Sequence, residues 1–436
     1  MNPLKTFQQL DSTPRRNFFL LFGSALLFWI GLTTLLPTLP TYAQDLGGNR
    51  QQVGFVMGAF ALGLLGSRVW LGKLVDSRGR KMALILGNFV GTVAPLSYLL
   101  AHSIPSLMLI RAFHGVSVAA FTTGFNTLVV DLAPPKHRGE LIGYMGLTVP
   151  VGMALGPAIG GYLAETQGYV ALFITAGLAG FCALGLTLPI QEKFQKFVPA
   201  SPSSPSATWE PPSRSLWQLL TSRALLIPSL ILLFIGLVFG NLATFLPLFI
   251  REIQLPLNTG LFYTAAAIMG FIARFWTGQA SDTYGRGIFI SGSLICYLLS
   301  MLILTGADTP ALFLLAAGLE GLGSGILIPM AIALLSDRSQ IHERGQVFAV
   351  CISGFDVGIA IAGPIFGWLG ESVGYRGLFG ITSGLVGLAL GIFACRGNTT
   401  LENSWAFAWG KAPDHFAIHP AKAPQPLKVG HSKNVN

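Results

Sequence analysis

"GKLVDSRGRK" (residues 72–81) places five charged residues in ten, in a chain where charged residues make up only 10% and long apolar runs flank the stretch on both sides. A related stretch, "GQASDTYGRG" (278–287), follows 206 residues later and keeps a glycine, an aspartate and a Gly-Arg pair at the same internal positions. The register extends well beyond these segments. Arg68 and Arg274, Trp70 and Trp276, Asp131 and Asp337, Arg138-Gly139 and Arg344-Gly345, and Glu165 and Glu371 all stand 206 apart, and only the Gly-Pro pairs at 156–157 and 363–364 slip by one. The chain reads as two copies of one unit.

Composition says what kind of unit it is. The apolar fraction is 52%, whereas a soluble domain usually carries about 25% charged residues. A watery surface for 436 residues cannot be built from so few charges, which predicts an integral membrane protein. Lipid-embedded backbone must satisfy its own hydrogen bonds, so a span is a helix or part of a closed barrel. Barrel strands alternate polar and apolar residues, but runs such as "FFLLFGSALLFWIGLTTLLP" (18–37) are continuous. The expected fold is therefore all-α and polytopic, with twelve transmembrane helices at 18–42, 51–73, 82–101, 106–133, 140–164, 169–190, 223–250, 259–280, 288–306, 310–336, 346–370 and 375–395. Six helices per half preserve the direction of insertion, so the halves are parallel repeats about an axis along the membrane normal.

The domain plan follows: a cytoplasmic N-terminal segment (1–17), a first six-helix bundle (18–190), a linker (191–222), a second bundle (223–395) and a tail (396–436). "VPASPSSPSATWEPPSRS" (198–215) is dense in proline and serine, the composition of a flexible linker. The polar, proline-containing tail is expected to be disordered, with Trp405, Phe407 and Trp409 available to touch the membrane surface. The first apolar run ends near "TYA", like a signal-peptide site, but exceeds the usual signal core and belongs to the repeat, so it reads as a retained helix.

Twenty-one of the 27 Lys and Arg residues fall on the side of both termini and three (Arg50, Arg251, Arg376) on the other. The positive-inside rule makes the termini cytoplasmic. The net charge of +9 thus reports topology, and nucleic acid is not an expected partner. The four cysteines have no metal-like spacing, and no phosphate-binding Gly-Lys-Ser/Thr loop or nucleophile motif occurs in any loop. No enzyme activity, cofactor or metal is expected, and energy has to come from an ion gradient or from the solute's own.

Ionisable residues inside a span are costly and mark functional positions. Asp356 lies mid-span in "AVCISGFDVGIAIAG" (349–363), and Glu320, Arg111 and His114 fall within the tenth and fourth spans, with Glu320 and His114 at equivalent positions of the repeat. Asp356 and Glu320 are candidates for carrying a proton or touching solute. The alternatives are that Asp356 pairs with Arg111 as a structural ion pair and that His114 hydrogen-bonds within its bundle. Arg68 and Arg274 are expected to snorkel toward the cytoplasmic interface.

The chain resembles the major facilitator superfamily across nearly all twelve spans. "GKLVDSRGRK" is similar to that superfamily's Gly-x-Leu-x-Asp-Arg-x-Gly-Arg-Lys signature between helices 2 and 3, with Ser77 in place of the usual first arginine. "GYMGLTVPVGMALGPAIGG" (143–161) resembles the helix-5 pattern of proton-driven exporters at Gly143, Gly152, Gly156, Pro157, Gly160 and Gly161. "LLPTLPTYAQDLG" (35–47) resembles the Pro-x-x-Pro ending of helix 1 in twelve-helix antiporters. "RAFHGVSVAA" (111–120) resembles the helix-4 signature, with His114 and Ser117 replacing its Gln and Gly.

The resemblance implies the major facilitator fold and two pseudo-symmetric bundles around a central cavity. It also implies a cytoplasmic latch of Gly72, Asp76, Gly79, Arg80, Lys81 and Asp131, echoed by Asp282, Arg286 and Asp337. Asp76 would cap helix 11 of the opposite half, and Arg80 and Arg286 would pair with Asp131 and Asp337. The stripe Gly152, Gly156 and Gly160 permits close helix packing and would serve as a sliding seam between halves. The function implied is proton-coupled export of a small organic solute by alternating access, from a monomer in a bacterial plasma membrane. An importer or uniporter of a sugar or metabolite shares the fold, and a membrane sensor or enzyme is the distant alternative.

Overall fold

The computed structural model describes residues 12–134, 137–192, 216–340 and 343–418. The side chains of Asp76, Asp282 and Trp276 lie outside what it describes. Among the described residues nine helices are long and apolar enough to cross a membrane by that measure alone. One of them, Arg344–Arg396, is two helices joined at Gly374, and Arg50–Arg78 and Thr259–Tyr284 are also of spanning length. The order among the described residues is α1 (Ser12–Thr34, continued by Leu39–Asp45), α2 (Arg50–Arg78), α3 (Arg80–Ser97), α4 (Ile104–Leu132), α5 (Arg138–Gly146 and Thr148–Thr166), α6 (Gly168–Thr187), α7 (Arg223–Glu252), α8 (Thr259–Tyr284), α9 (Arg286–Gly306), α10 (Pro310–Asp337), α11 (344–373) and α12 (375–396).

Local chemistry sets the helix ends. Where α2 begins, Asn49 accepts a hydrogen bond from the Gln52 amide while the Gln52 side chain accepts one from the Asn49 amide. Ser103 and Ser106 do the same for α4, and Thr309 with Pro310 starts α10. Such caps satisfy amides that have no intrahelical partner. At the other ends of α2 and α8 the chain reverses within one residue. Gly79 (φ +95°) and Gly285 (φ +86°) adopt left-handed backbone there, a conformation side chains oppose. The next residue, Arg80 or Arg286, already begins the following helix. The Gly-Arg pair is written twice because the same one-residue reversal is built twice. Gly168 (φ +79°) and Gly374 (φ +67°), also 206 apart, do the same between α5 and α6 and between α11 and α12.

The two faces of the bundle differ. We call the face carrying residue 12 and the end of α12 the terminal face and the opposite one the distal face. The halves meet along two equivalent seams, α2 with α11 and α5 with α8. Toward the distal face these seams are tight. Gly54 and Gly363 stand so close that a methyl group on either would overlap the other's carbonyl, Gly58 lies against Ala360 and Pro364, and Gly260 lies against the Pro157 carbonyl. The Thr264 hydroxyl donates to the Ala154 carbonyl across the α5–α8 seam at 2.7 Å. Toward the terminal face, Gly66 and Gly72 of α2 and Gly345 of α11 have open space beside them. The halves are closed distally and splay toward the termini.

Two expectations change. The stripe Gly152, Gly156 and Gly160 packs against Trp29, Thr33 and Thr34 of α1, inside its own half, and Gly354 and Gly358 of α11 take up α7 in the same way. Small residues admit close approach, but to the neighbour within each bundle; the seam between halves uses Gly54, Gly161 and Gly260 instead.

The tail also begins as ordered structure. After α12 the chain forms a short helix, Leu401–Ala408, and returns over the bundle. Arg338, at the end of α10, is buried and holds this segment: it makes two bonds to Asp414 (2.7 and 3.0 Å) and donates to the carbonyls of Gly397 (2.7 Å) and Ala224 (2.8 Å). Phe416 and Phe407 cover the guanidinium. The expected linker likewise ends in a helical turn, Leu216–Thr221. Residues 1–11, 193–215 and 419–436 lie outside the described residues.

Candidate functional site

A cavity of about 300 Å³ lies where the bundles meet, with Trp29 of α1 and Pro150 and Met153 of α5 on one side and α7, α8, α9, α10 and α11 on the other. Its walls are mostly apolar, with aromatic faces from Trp29, Phe239, Phe262, Phe271 and Phe355. Its polar side chains include Glu320 and Ser324 of α10, Tyr297 of α9 and Tyr263 of α8. Glu320 is 7% exposed, and the buried Tyr297 shares the cavity wall with it and with Ser324. Among the described residues no cation pairs with Glu320. Pockets of this size and character, apolar with a few convergent polar groups, suit small organic molecules. Arg274 of α8 also lines the cavity.

Asp356 is not part of this cluster. Its carboxylate meets Arg68 of α2 at 2.7 Å, across the seam between the halves. The partner considered from sequence, Arg111, instead lies over the Phe60 ring at 4.3 Å, and Arg68, expected to snorkel, is committed to Asp356. His114 is buried, with Nδ1 3.0 Å from the Tyr98 hydroxyl. Although equivalent in sequence to Glu320, it does not reach the cavity lining. One bundle thus places its titratable group at the cavity and the other packs it away.

On the terminal face Arg80 reaches Asp131 at 2.9 Å, and Arg286 reaches Asp337 at 3.4 Å. Each pair ties the start of one helix to the end of another inside its own half. The Glu192 carboxylate accepts from the Arg80 and Lys81 amides (2.8 and 2.9 Å), capping α3 where the dipole favours an anion. Lys81 Nζ donates to the Leu188 carbonyl. The proposed contacts of Asp76 and Asp282 lie outside the described residues. Gly143 has open space around it.

Sequence reasoning missed the distal face. Arg251 of α7 pairs with Asp45 of α1 (2.6 Å), and Arg50 of α2 pairs with Glu252 of α7 (2.7 Å). Arg50 also donates to the Gly370 carbonyl of α11 (2.9 Å) and covers the Tyr375 ring. Tyr169, the counterpart of Tyr375 in the repeat, donates to Asp45 at 2.6 Å. These groups close the distal side, beside a separate polar vestibule of about 400 Å³ lined by Thr41, Glu165, Tyr169 and Arg251.

The family model described as Major Facilitator Superfamily matches residues 21–309 and 275–408. The chain belongs to the major facilitator superfamily. Its members' fold, an integral membrane bundle of helices, is the one seen here, and the protein is a transporter rather than an enzyme. Quinolone resistance protein NorA of Staphylococcus aureus (strain MSSA476) is 24% identical over 363 residues, covering 80% of this chain and 90% of that protein. An uncharacterised transporter of the superfamily from Methanocaldococcus jannaschii is 22% identical, covering 85% of this chain and 97% of that one. Among solved structures, a bacterial homologue of the human lysosomal transporter Spinster, inward-facing and occupied, superposes with a TM-score of 0.72 at 14% identity, covering 90% of this chain and 98% of that one. The nucleoside transporter NupG gives 0.72 at 13%, covering 88% and 100%. These two likenesses speak to fold alone.

Proposed function

We propose that this transporter exports small amphiphilic organic solutes in exchange for protons, with Glu320 as the proton-carrying group. The observation that carries the reading is a buried carboxylate, without a cation partner among the described residues, set in a largely apolar cavity at the junction of the two bundles. A carboxylate so placed can take up a proton when shielded and give it back when water enters with the solute. With the terminal face cytoplasmic, as the distribution of basic residues supports, the closed distal side and open terminal side are the solute-loading state.

Solute enters from the cytoplasm and displaces the proton. The halves then rock, so that the Gly54–Gly363 seam and the distal ion pairs part while the terminal face closes. A proton from outside returns the carrier. Arg80–Asp131 and Arg286–Asp337 brace each bundle as a rigid unit, and Arg68–Asp356 guards the seam. The glycine pattern of α5 and the likeness to a quinolone resistance protein support the exporting direction and an organic cargo. The membrane is a bacterial plasma membrane.

Everted vesicles with an acid interior test this. Addition of an exported amphiphile releases protons from native vesicles and from Asp356→Asn to some degree, but not from Glu320→Gln. Solute crossing with no proton movement in native vesicles contradicts proton coupling and points to a uniporter.

A further inference from the structure

The two seams between the halves are equivalent, but their charges are not. In the α2–α11 seam Arg68 meets Asp356 at 2.7 Å. A shift of 206 carries Arg68 to Arg274 and carries Pro150 to Asp356. The other seam, α8 with α5, therefore keeps the cation and replaces the carboxylate with proline. Pro150 and Arg274 both line the central cavity, as the equivalence requires.

Arg274 is consequently a guanidinium with no carboxylate partner among the described residues. It sits ten residues before the end of α8, about 15 Å into the helix at the usual rise of 1.5 Å per residue. Its side chain is exposed, and it lines the central cavity rather than being sealed inside the protein. Glu320 shares the cavity, yet no ion pair joins the two. The space thus holds a free guanidinium, a separate carboxylate and aromatic walls. A guanidinium fork matches the two oxygens of a carboxylate.

We propose that Arg274 is an anion-recognition subsite, and that the transported solute is an aromatic compound bearing a carboxylate, which Arg274 receives as Arg68 receives Asp356. This rests on the cavity being the solute site. Pro150 is then a specificity determinant: an acid there would occupy Arg274 and exclude the solute.

The test uses the full chain in phosphatidylcholine nanodiscs and two matched fluorescent probes, a naphthalene carboxylate and its methyl ester. Arg274→Gln and Pro150→Asp should each weaken the carboxylate by roughly two- to fivefold, the effect of losing one exposed ion pair, while the ester is unchanged. Arg274→Lys should restore part of the carboxylate binding. An unaltered carboxylate-to-ester ratio in Arg274→Gln overturns the proposal even should Pro150→Asp fail to fold. Trp29→Ala and Phe239→Ala separate the two levels. If they weaken both probes alike, the cavity reading stands and the Arg274 result decides the subsite; if neither probe responds, the cavity is not the solute site and the subsite falls with it.

Discussion

Asp45 and Arg251 occupy the same position in the two halves of the repeat, 206 residues apart, and face each other across the axis that relates those halves, 2.6 Å from nitrogen to oxygen. A position near such an axis meets its own counterpart, so opposite charges there join the halves only when the distal side is shut. With Arg50–Glu252 beside it, the pair makes an outer gate. Exposed ion pairs contribute about 0.2–1 kcal/mol each, enough to shift a two-state population a few-fold. Asp45→Arg or Arg251→Asp alone should open the distal face more often, and the double exchange should restore closure. Spin-label distances between the distal ends of α1 and α7 would show it, and agreement between single and double variants would remove the gate.

Gly54 and Gly363 supply the contact beneath that gate. Gly54→Leu puts a side chain where the opposing backbone stands, and overpacking of this kind costs about 1–3 kcal/mol. The cost falls on the distally closed state alone. The variant should remain folded and membrane-inserted, with its distal ends held apart and transport lost. Wild-type transport by Gly54→Leu would mean that the seam is looser than it is drawn here.

Arg338 makes a different kind of prediction, about stability. Its buried guanidinium joins α10, the start of α7, the end of α12 and Asp414. Removing one partner of a buried ion pair costs about 3–5 kcal/mol. Arg338→Ala and Asp414→Ala should lower the melting temperature similarly, and the double variant should cost little more than either alone. Truncation after residue 396 should match them. A tail that can be cut away without a change in melting temperature would refute this brace.

Gly285 reverses the chain between α8 and α9 with a backbone angle that a side chain opposes by about 1–2 kcal/mol. Gly285→Ala and Gly79→Ala should each lower thermal stability by about that amount, while Gly72→Ala, which has open space beside it, should be near neutral. Equal effects at all three positions would contradict the turn geometry.

The fold was legible because its signals are long-range and redundant: apolar runs give the spans, and a register of 206 gives the halves. The Arg80–Asp131 and Arg286–Asp337 pairs were legible too, since each sits at a span end beside a repeated motif. Partner choice inside the membrane was not. Asp356 has two arginines within plausible reach, and only the crossing of α2 and α11 selects Arg68 over Arg111. The glycine stripe of α5 announced a close neighbour without saying which, and α1 claims it. The outer gate escaped notice because a comparison of the repeats looks for identity, and its central pair is a charge reversal, Asp45 against Arg251. The tail was misjudged from composition, which cannot foresee that one buried arginine will hold it.

Glu320 is the centre of the functional account, and the most direct measurement is the proton count on solute binding. Purified protein in weakly buffered solution, with no gradient, is mixed with a transported solute while pH is followed. Native protein and Asp356→Asn should release protons in step with binding, and Glu320→Gln should bind without releasing any. Equal release by native and Glu320→Gln protein would place the exchanged proton elsewhere and contradict the account.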